Sequence, residues 1–136
     1  MDLTIPIKAV GKERPRFHPQ FKYAYTPKKT KDFEAAIAAH FSVYMRKHGY
    51  ITEEGPVCVD MTVYNRVPAS WSKKKKQQAL SGKLRPVRTP DGDNILKAVL
   101  DGLNGVAYVD DKQVVQFHFN RLYNDKDLIN IKISEL

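Results

Sequence analysis

Asp91, Asp93, Asp101, Asp110 and Asp111 place five of the chain's fifteen acids within 21 residues. That window, 91–111, holds one base, Lys97, and so carries −4, while the rest of the chain sets 22 bases against 10 acids. Carboxylate oxygens are the ligands that hard divalent cations take, and a cation held among them can bridge to a phosphate. Two to four carboxylates around Mg²⁺ or Mn²⁺ suit hydrolysis of a phosphodiester: one ion activates the attacking water and one neutralises the leaving oxygen. On this reading Asp91, Asp93 and at least one of Asp110 and Asp111 converge on the metal. Lys97 balances the carboxylates at the same mouth and stabilises the pentacovalent transition state. The same letters admit a reading without chemistry, in which Asp93 is a helix cap, Asp110 and Asp111 a turn, and Lys97 a surface partner.

Other acidic motifs do not fit. DGDN opens like an EF-hand loop, but Ile95 stands fifth, Leu96 occupies the sixth place that needs glycine, and Gly102 the twelfth that needs glutamate. YVDD has the look of a polymerase metal turn or the acid-ended strand of a P-loop ATPase. Yet no GxxxxGK[ST] occurs, and 136 residues leave no room for a palm with fingers. There is no G-x-S-x-G elbow, and the four histidines and one cysteine lie at spacings unsuited to zinc.

The flanking residues indicate how the acids are positioned. Pro90 holds its neighbour extended, so Asp91 and Asp93 flank Gly92 in a non-helical segment and point the same way. Asp93 then caps a helix whose apolar stripe is Ile95, Leu96, Val99, Leu100 and Leu103, with Asn94, Lys97, Ala98 and Asp101 opposite. Both acids lie at the positive end of its dipole, and Lys97 stands one turn above Asp93. Gly102 and Gly105 end the helix, and AYVDD delivers Asp110 and Asp111 at a turn.

Elsewhere, Leu3, Ile5 and Ile7 alternate as a strand, and residues 11–30 read as a loop rich in Pro, bases and aromatics. Thr26 and Pro27 predict a helix start, with the threonine as cap and the proline at the first helical position. Phe33, Ile37, His40, Phe41, Tyr44, Met45 and His48 then form a stripe that stops at Gly49, with His40 and His48 partly buried or at its rim. Pro56 to Arg66 alternates as a strand with Val57, Val59, Met61 and Val63 inward. Ser70 is a plausible cap for a short helix carrying Lys73, Lys74, Lys75 and Lys76, a collar of charge that suits phosphates or solvent equally. Strands follow around Val115, Phe117 and Phe119, and over Leu128–Ile133 with Ile129, Ile131 and Ile133 inward. This order predicts an α/β (α+β) fold: a single small domain, 1–136, with a mixed four-stranded sheet flanked by helices.

A net charge of +8 and a pI near 9.6 indicate an anionic partner, most often nucleic acid. The lone Cys58 forms no intramolecular disulfide and reads as a buried small hydrophobe of a reducing compartment. No apolar run approaches the ~18–20 residues needed to span a bilayer. MDLTIPIKAV carries an acid where a secretion signal carries bases, so the expected location is cytoplasmic, with no membrane partner.

DGDNILKAVLDGLNGVAYVDDKQVV resembles the signature of the RusA-type Holliday junction resolvases, small phage-derived endonucleases that cut four-way DNA junctions. That pattern, an Asp-x-Asp-Asn, a helical Lys, a second helical Asp and an Asp-Asp before an apolar strand, falls on Asp91, Asp93, Asn94, Lys97, Asp101, Asp110 and Asp111. RPRF (Arg14–Phe17) and YTPKKTKDFE (Tyr25–Glu34) are similar to the first half of many members. The resemblance implies a homodimer that hydrolyses junction DNA with Mg²⁺, making paired nicks in strands of like polarity. It implies Asp91, Asp93 and Asp111 as metal-binding carboxylates, with Asp110 the alternative of the adjacent pair, and Lys97 as a catalytic side chain. A two-fold dimer matches the two symmetric cuts. Arg14, Arg16, Lys28, Lys29 and Lys73, Lys74, Lys75 and Lys76 are the candidates for binding junction arms through phosphates. Phe17, Tyr23 and Tyr25 either stack at the open junction centre or pin their loop to the core, the second being favoured for Tyr23. A non-catalytic basic DNA-binding module and a nuclease for structured RNA are the two alternative functions.

Overall fold

In the computed structural model, which describes residues 1–49 and 52–136, the period-two alternation of VCVDMTVYNR builds β4 (Val57–Arg66). Two compact units are present, one of 1–9, 51–89 and 112–136, the other of 10–50 and 90–111.

In the first unit, β4 runs parallel to β5 (Val114–Asn124) and antiparallel to β6 (Leu128–Glu135), and β1 (Asp2–Ile5) pairs with the far side of β6. The sheet is therefore mixed and four-stranded, as expected. Val59, Met61 and Val63 face Ile133, Ile131 and Ile129 across the antiparallel ladder, and all six are buried. Burial of such side chains contributes roughly 1.5–3 kcal/mol each. Cys58 is buried and free, as predicted. Ile7 lies outside β1, because Pro6 has no amide to continue the ladder and the Ile7 amide turns back to the Ile5 carbonyl at 2.9 Å.

The lysine collar lies on α2 (Lys73–Leu80). Its cap is Ser72, not Ser70: the Ser72 hydroxyl accepts from the Lys75 amide at 3.2 Å, while Ser70 is used up in the turn closed by Trp71 N–H on the Pro68 carbonyl.

In the second unit, the expected loop contains a short hairpin of β2 (Arg16–Phe17) and β3 (Ala24–Tyr25). It leads to α1 (Lys28–His48), whose Phe33, Ile37 and Phe41 are buried. The cap there is Pro27 and not Thr26. Pro27 keeps ψ at 142°, which leaves it one residue outside the helix with its carbonyl accepting from the Lys31 amide. His40 and His48 are exposed rather than partly buried. The partner helix α3 (Gly92–Leu103) has 12 residues against 21 in α1, and the buried line ends at Phe41.

Gly102 lies inside α3 and does not terminate it. A Cβ there would come 3.0 Å from both the Glu34 carbonyl and Ile37 Cβ, so glycine is what lets the two helices approach. That approach also covers Ala98, which the apolar stripe had left on the polar side. Among the described residues, no helix is long and apolar enough to cross a membrane.

Candidate functional site

All five clustered acids, together with Lys97, belong to the second unit. Their scaffold is α3 and the segment that folds back from its end. The helix starts two residues earlier than the sequence suggests: Asp91 is the N-cap and Asp93 sits in the first turn, with Ile95 N–H on the Asp91 carbonyl at 3.1 Å. Asp91 and Asp93 are therefore not two positions of one extended strand. The Asp91 side chain makes no capping hydrogen bond, and both acids are exposed. Each carboxylate lies at the positive end of the helix dipole, which stabilises its charge.

Gly11 fixes the opposite wall. The Lys12 amide donates to the Asn94 carbonyl at 2.8 Å, and a Cβ on Gly11 would meet Pro90 Cβ at 2.8 Å. Only a glycine lets this strand-like segment pass so close to the acidic turn. From there the Lys12 ammonium reaches Glu34 Oε1 at 2.6 Å and Asp101 Oδ2 at 3.1 Å. The Glu34 hydrogen bond leads the interactions that raise the Lys12 pKa above 10.5, with partial burial opposing it and Asp101 adding to it. Asp101 is thus engaged in an ion network within its unit. Lys12 and Glu34 were not legible as site residues, since one is a lysine among many and the other an ordinary acid on a helix.

Beyond α3, the Ala107 amide bonds the Leu103 carbonyl and Asn104 bridges to Tyr108. The buried Tyr108 hydroxyl donates to the Leu100 carbonyl at 3.1 Å, tying this return segment to the helix. Burial pushes the Tyr108 phenol up, and the charges of Asp111 and then Asp101 push it further. Asp111 is exposed at the start of a 3₁₀ turn, and its amide donates to Asn104 Oδ1 at 3.1 Å.

Asp91 and Asp93 stand at the start of α3, Asp101 lies in its last turn, and Asp111 opens the 3₁₀ turn after the return segment. Among the described residues, no group of three or more His, Cys, Asp and Glu is close enough to hold a metal ion. The donor chemistry nonetheless suits a hard divalent cation, which takes oxygen ligands and binds with one or two carboxylates plus waters and substrate phosphates. Lys97 is exposed and joins none of the ion pairs among the described residues.

Of the basic candidates, Arg14, Lys28 and Lys29 are exposed in the second unit, and Arg16 pairs with Glu13 at 3.2 Å. In the first unit Lys73 and Lys74 are exposed, Lys76 is half-buried, and Lys75 lies 4.0 Å over the Trp71 ring. Phe17 and Tyr25 are exposed, and Tyr23 is too, against the expectation that it pins its loop to the core: it stacks on His18 instead.

A family model described as endodeoxyribonuclease RusA matches residues 6–134. YqaN of Bacillus subtilis (strain 168), an uncharacterized protein, is 40% identical over 112 residues, which cover 81% of this chain and 77% of YqaN. A match across nearly the whole length, with the acidic helix and its return segment inside it, makes this chain a member of the RusA endodeoxyribonuclease family and a hydrolase acting on DNA.

Proposed function

We propose that residues 1–136 form a structure-selective endodeoxyribonuclease that resolves four-way DNA junctions by paired symmetric nicks, with Mg²⁺ as cofactor and Mn²⁺ as substitute. The observation that carries this reading is the set of uncommitted carboxylates at the positive end of α3 in an otherwise strongly basic chain. Asp91, Asp93 and Asp111 would hold the ion, with Asp110 as a further oxygen donor. When bound there, such an ion would supply activation of the attacking water and neutralisation of charge on the leaving oxygen. Lys97, about 6 Å further along α3 than Asp93, binds the scissile phosphate and offsets the charge that builds on it. Lys12 offsets part of the charge of Asp101 and Glu34, which lowers repulsion of the DNA backbone beside the acidic turn. Arg14, Arg16, Lys28, Lys29 and Lys73, Lys74 and Lys76 bind the arms through phosphates, with Lys75 held over Trp71.

The second copy pairs along β5. This strand ends the sheet and is hydrogen-bonded on one side only among the described strands. Its residues 114–120, VVQFHFN, contain no Asp, Glu, Lys or Arg. Val115 and Phe117 are 63% and 55% exposed although Phe117 sits beside the buried Val59 in the ladder. Natural edge strands are guarded by charge, proline or brevity, and a long apolar edge without guards is a template for another strand. Antiparallel pairing of two β5 strands closes under two-fold symmetry, which matches two symmetric cuts.

The test is nicking of an end-labelled synthetic four-way junction, with duplex, flap and structured-RNA controls, in Mg²⁺ and in chelator. The junction is cut only with metal, and Asp93→Asn binds it without cutting. Wild-type rates in both Asp93→Asn and Lys97→Ala would show that the site lies elsewhere. Binding indifferent to Mg²⁺ with no cleavage indicates a DNA-binding module, and preference for the RNA indicates an RNA nuclease.

A further inference from the structure

The hairpin around β2 and β3 exposes more aromatic surface than its size explains. Phe17 is 62%, Phe21 65%, Tyr23 50% and Tyr25 39% exposed, all within nine residues. Isolated exposed rings are ordinary, but a contiguous exposed apolar patch marks an interaction site.

The rings are also ordered. His18 and Tyr23 are stacked with centroids 5.3 Å apart and planes 15° from parallel. Phe21 lies 4.8 Å from His18, and Tyr25 meets Tyr23 edge-on at 6.1 Å. The backbone holds them there. The His18 amide donates to the Tyr23 carbonyl at 2.7 Å, and the Lys22 amide to the His18 carbonyl at 2.8 Å. His18 Nδ1 accepts from the amides of Gln20 and Phe21 at 3.2 and 3.1 Å, which fixes the orientation of its ring. Lys22 occupies the left-handed region at φ 52°, a conformation that a non-glycine residue adopts rarely. The result is a short ladder of flat rings fixed by hydrogen bonds rather than by a covering core.

Cations surround it. Arg14, Arg16, Lys22, Lys28, Lys29 and Lys31 are all exposed in the residues that form or flank the hairpin. Flat exposed rings beside cations are the arrangement that binds single-stranded nucleic acid, where bases stack on aromatics and the groove tracks the phosphates. Duplex DNA offers no free base faces to such rings, whereas a branch point does.

We infer that the His18–Phe21–Tyr23–Tyr25 ladder is a stacking platform for unpaired nucleobases of the DNA substrate, flanked by cations that hold the adjoining phosphates. The inference rests on the nuclease reading for its substrate and deepens it, since it assigns recognition of opened bases to a segment that holds no part of the acidic site.

The test compares wild type with a Phe21→Leu/Tyr23→Leu double variant and with Tyr23→Trp, in chelator, by fluorescence anisotropy. The probes are an oligothymidylate, a perfect duplex, and a junction carrying 2-aminopurine at the branch point. Wild type quenches the 2-aminopurine, and Tyr23→Trp retains the quenching. The leucine variant loses about tenfold in affinity for the oligothymidylate, within the range of one lost base stack, and changes by less than about twofold on duplex. Full quenching and unchanged oligothymidylate affinity in the leucine variant would overturn the inference, as would an equal loss on duplex, which marks a phosphate contact only. A changed oligomeric state with unaltered DNA binding also overturns it and assigns the patch to protein contact. Circular dichroism with thermal unfolding reports whether the leucine variant folds, and Tyr23→Ala in the intact hairpin replaces it if it does not. Junction nicking in Mg²⁺ separates the two readings: nicking with no ladder dependence fails only the platform, and ladder-dependent binding with no nicking fails only the nuclease reading.

Discussion

Lys12 Nζ lies 3.1 Å from Asp101 Oδ2, although Lys12 belongs to the basic N-terminal third of the chain and Asp101 to its acidic window. With Glu34 at 2.6 Å on the same ammonium, one lysine balances two acids on two helices. The 18% exposure of the Lys12 side chain makes this more than a surface pair.

Lys12→Met should therefore destabilise the protein by about 1–2 kcal/mol, because two partly desolvated carboxylates lose their partner. The pH dependence has a definite sign. The folded-state pKa of Lys12 is raised above 10.5, so its contribution is fully present below 10.5 and is lost as pH rises through the folded value. Urea unfolding of wild type and Lys12→Met at pH 8 and above pH 10.5 checks this: the gap between the two narrows at the alkaline end.

Tyr108→Phe should cost about 1 kcal/mol, the net value of a lost hydrogen bond to the Leu100 carbonyl. The folded pKa of Tyr108 is also raised, chiefly by burial, so the unfolded chain ionises first and stability falls as pH climbs past 10.0. The phenylalanine variant should lose stability less steeply than wild type in that window. Nicking should weaken as well, since the hydroxyl anchors the segment that carries Asp111 to α3.

Gly102→Ala should destabilise by about 1–3 kcal/mol, because the new methyl meets a carbonyl of α1 at 3.0 Å that cannot move alone. Gly11→Ala should act differently. Its methyl would press on Pro90 at 2.8 Å and displace the acidic turn, so nicking falls by more than stability does. Thermal unfolding alongside junction cleavage distinguishes the two positions.

Phe117→Lys should abolish the proposed dimer by placing a charge on the unguarded β5 edge. Sedimentation velocity reads the mass directly. A dimer that survives both Phe117→Lys and Val115→Lys assigns the two-fold contact to another surface.

Much of this molecule follows from local pattern. The alternation of Val57, Val59, Met61 and Val63 and of Ile129, Ile131 and Ile133 specifies two strands, because a period of two leaves one face apolar whatever lies beyond it. The spacing of Ile95, Val99 and Leu103 specifies α3 in the same way, and the concentration of acids after Pro90 singles out a candidate site. What local pattern left open were choices between neighbours of similar propensity. Asp91 over Asp93, Ser72 over Ser70 and Pro27 over Thr26 are such choices.

The sequence by itself determined the longer helices and strands, the polarity of the charge and the family, because each is written in residue types at short spacing. Only the tertiary structure decided that β4 pairs parallel with β5, that Gly11 and Gly102 are contact points, that Lys12 neutralises Asp101, and that Tyr23 is exposed. Those are relations between residues tens of positions apart. Their energies depend on distance and burial, which no local spacing encodes.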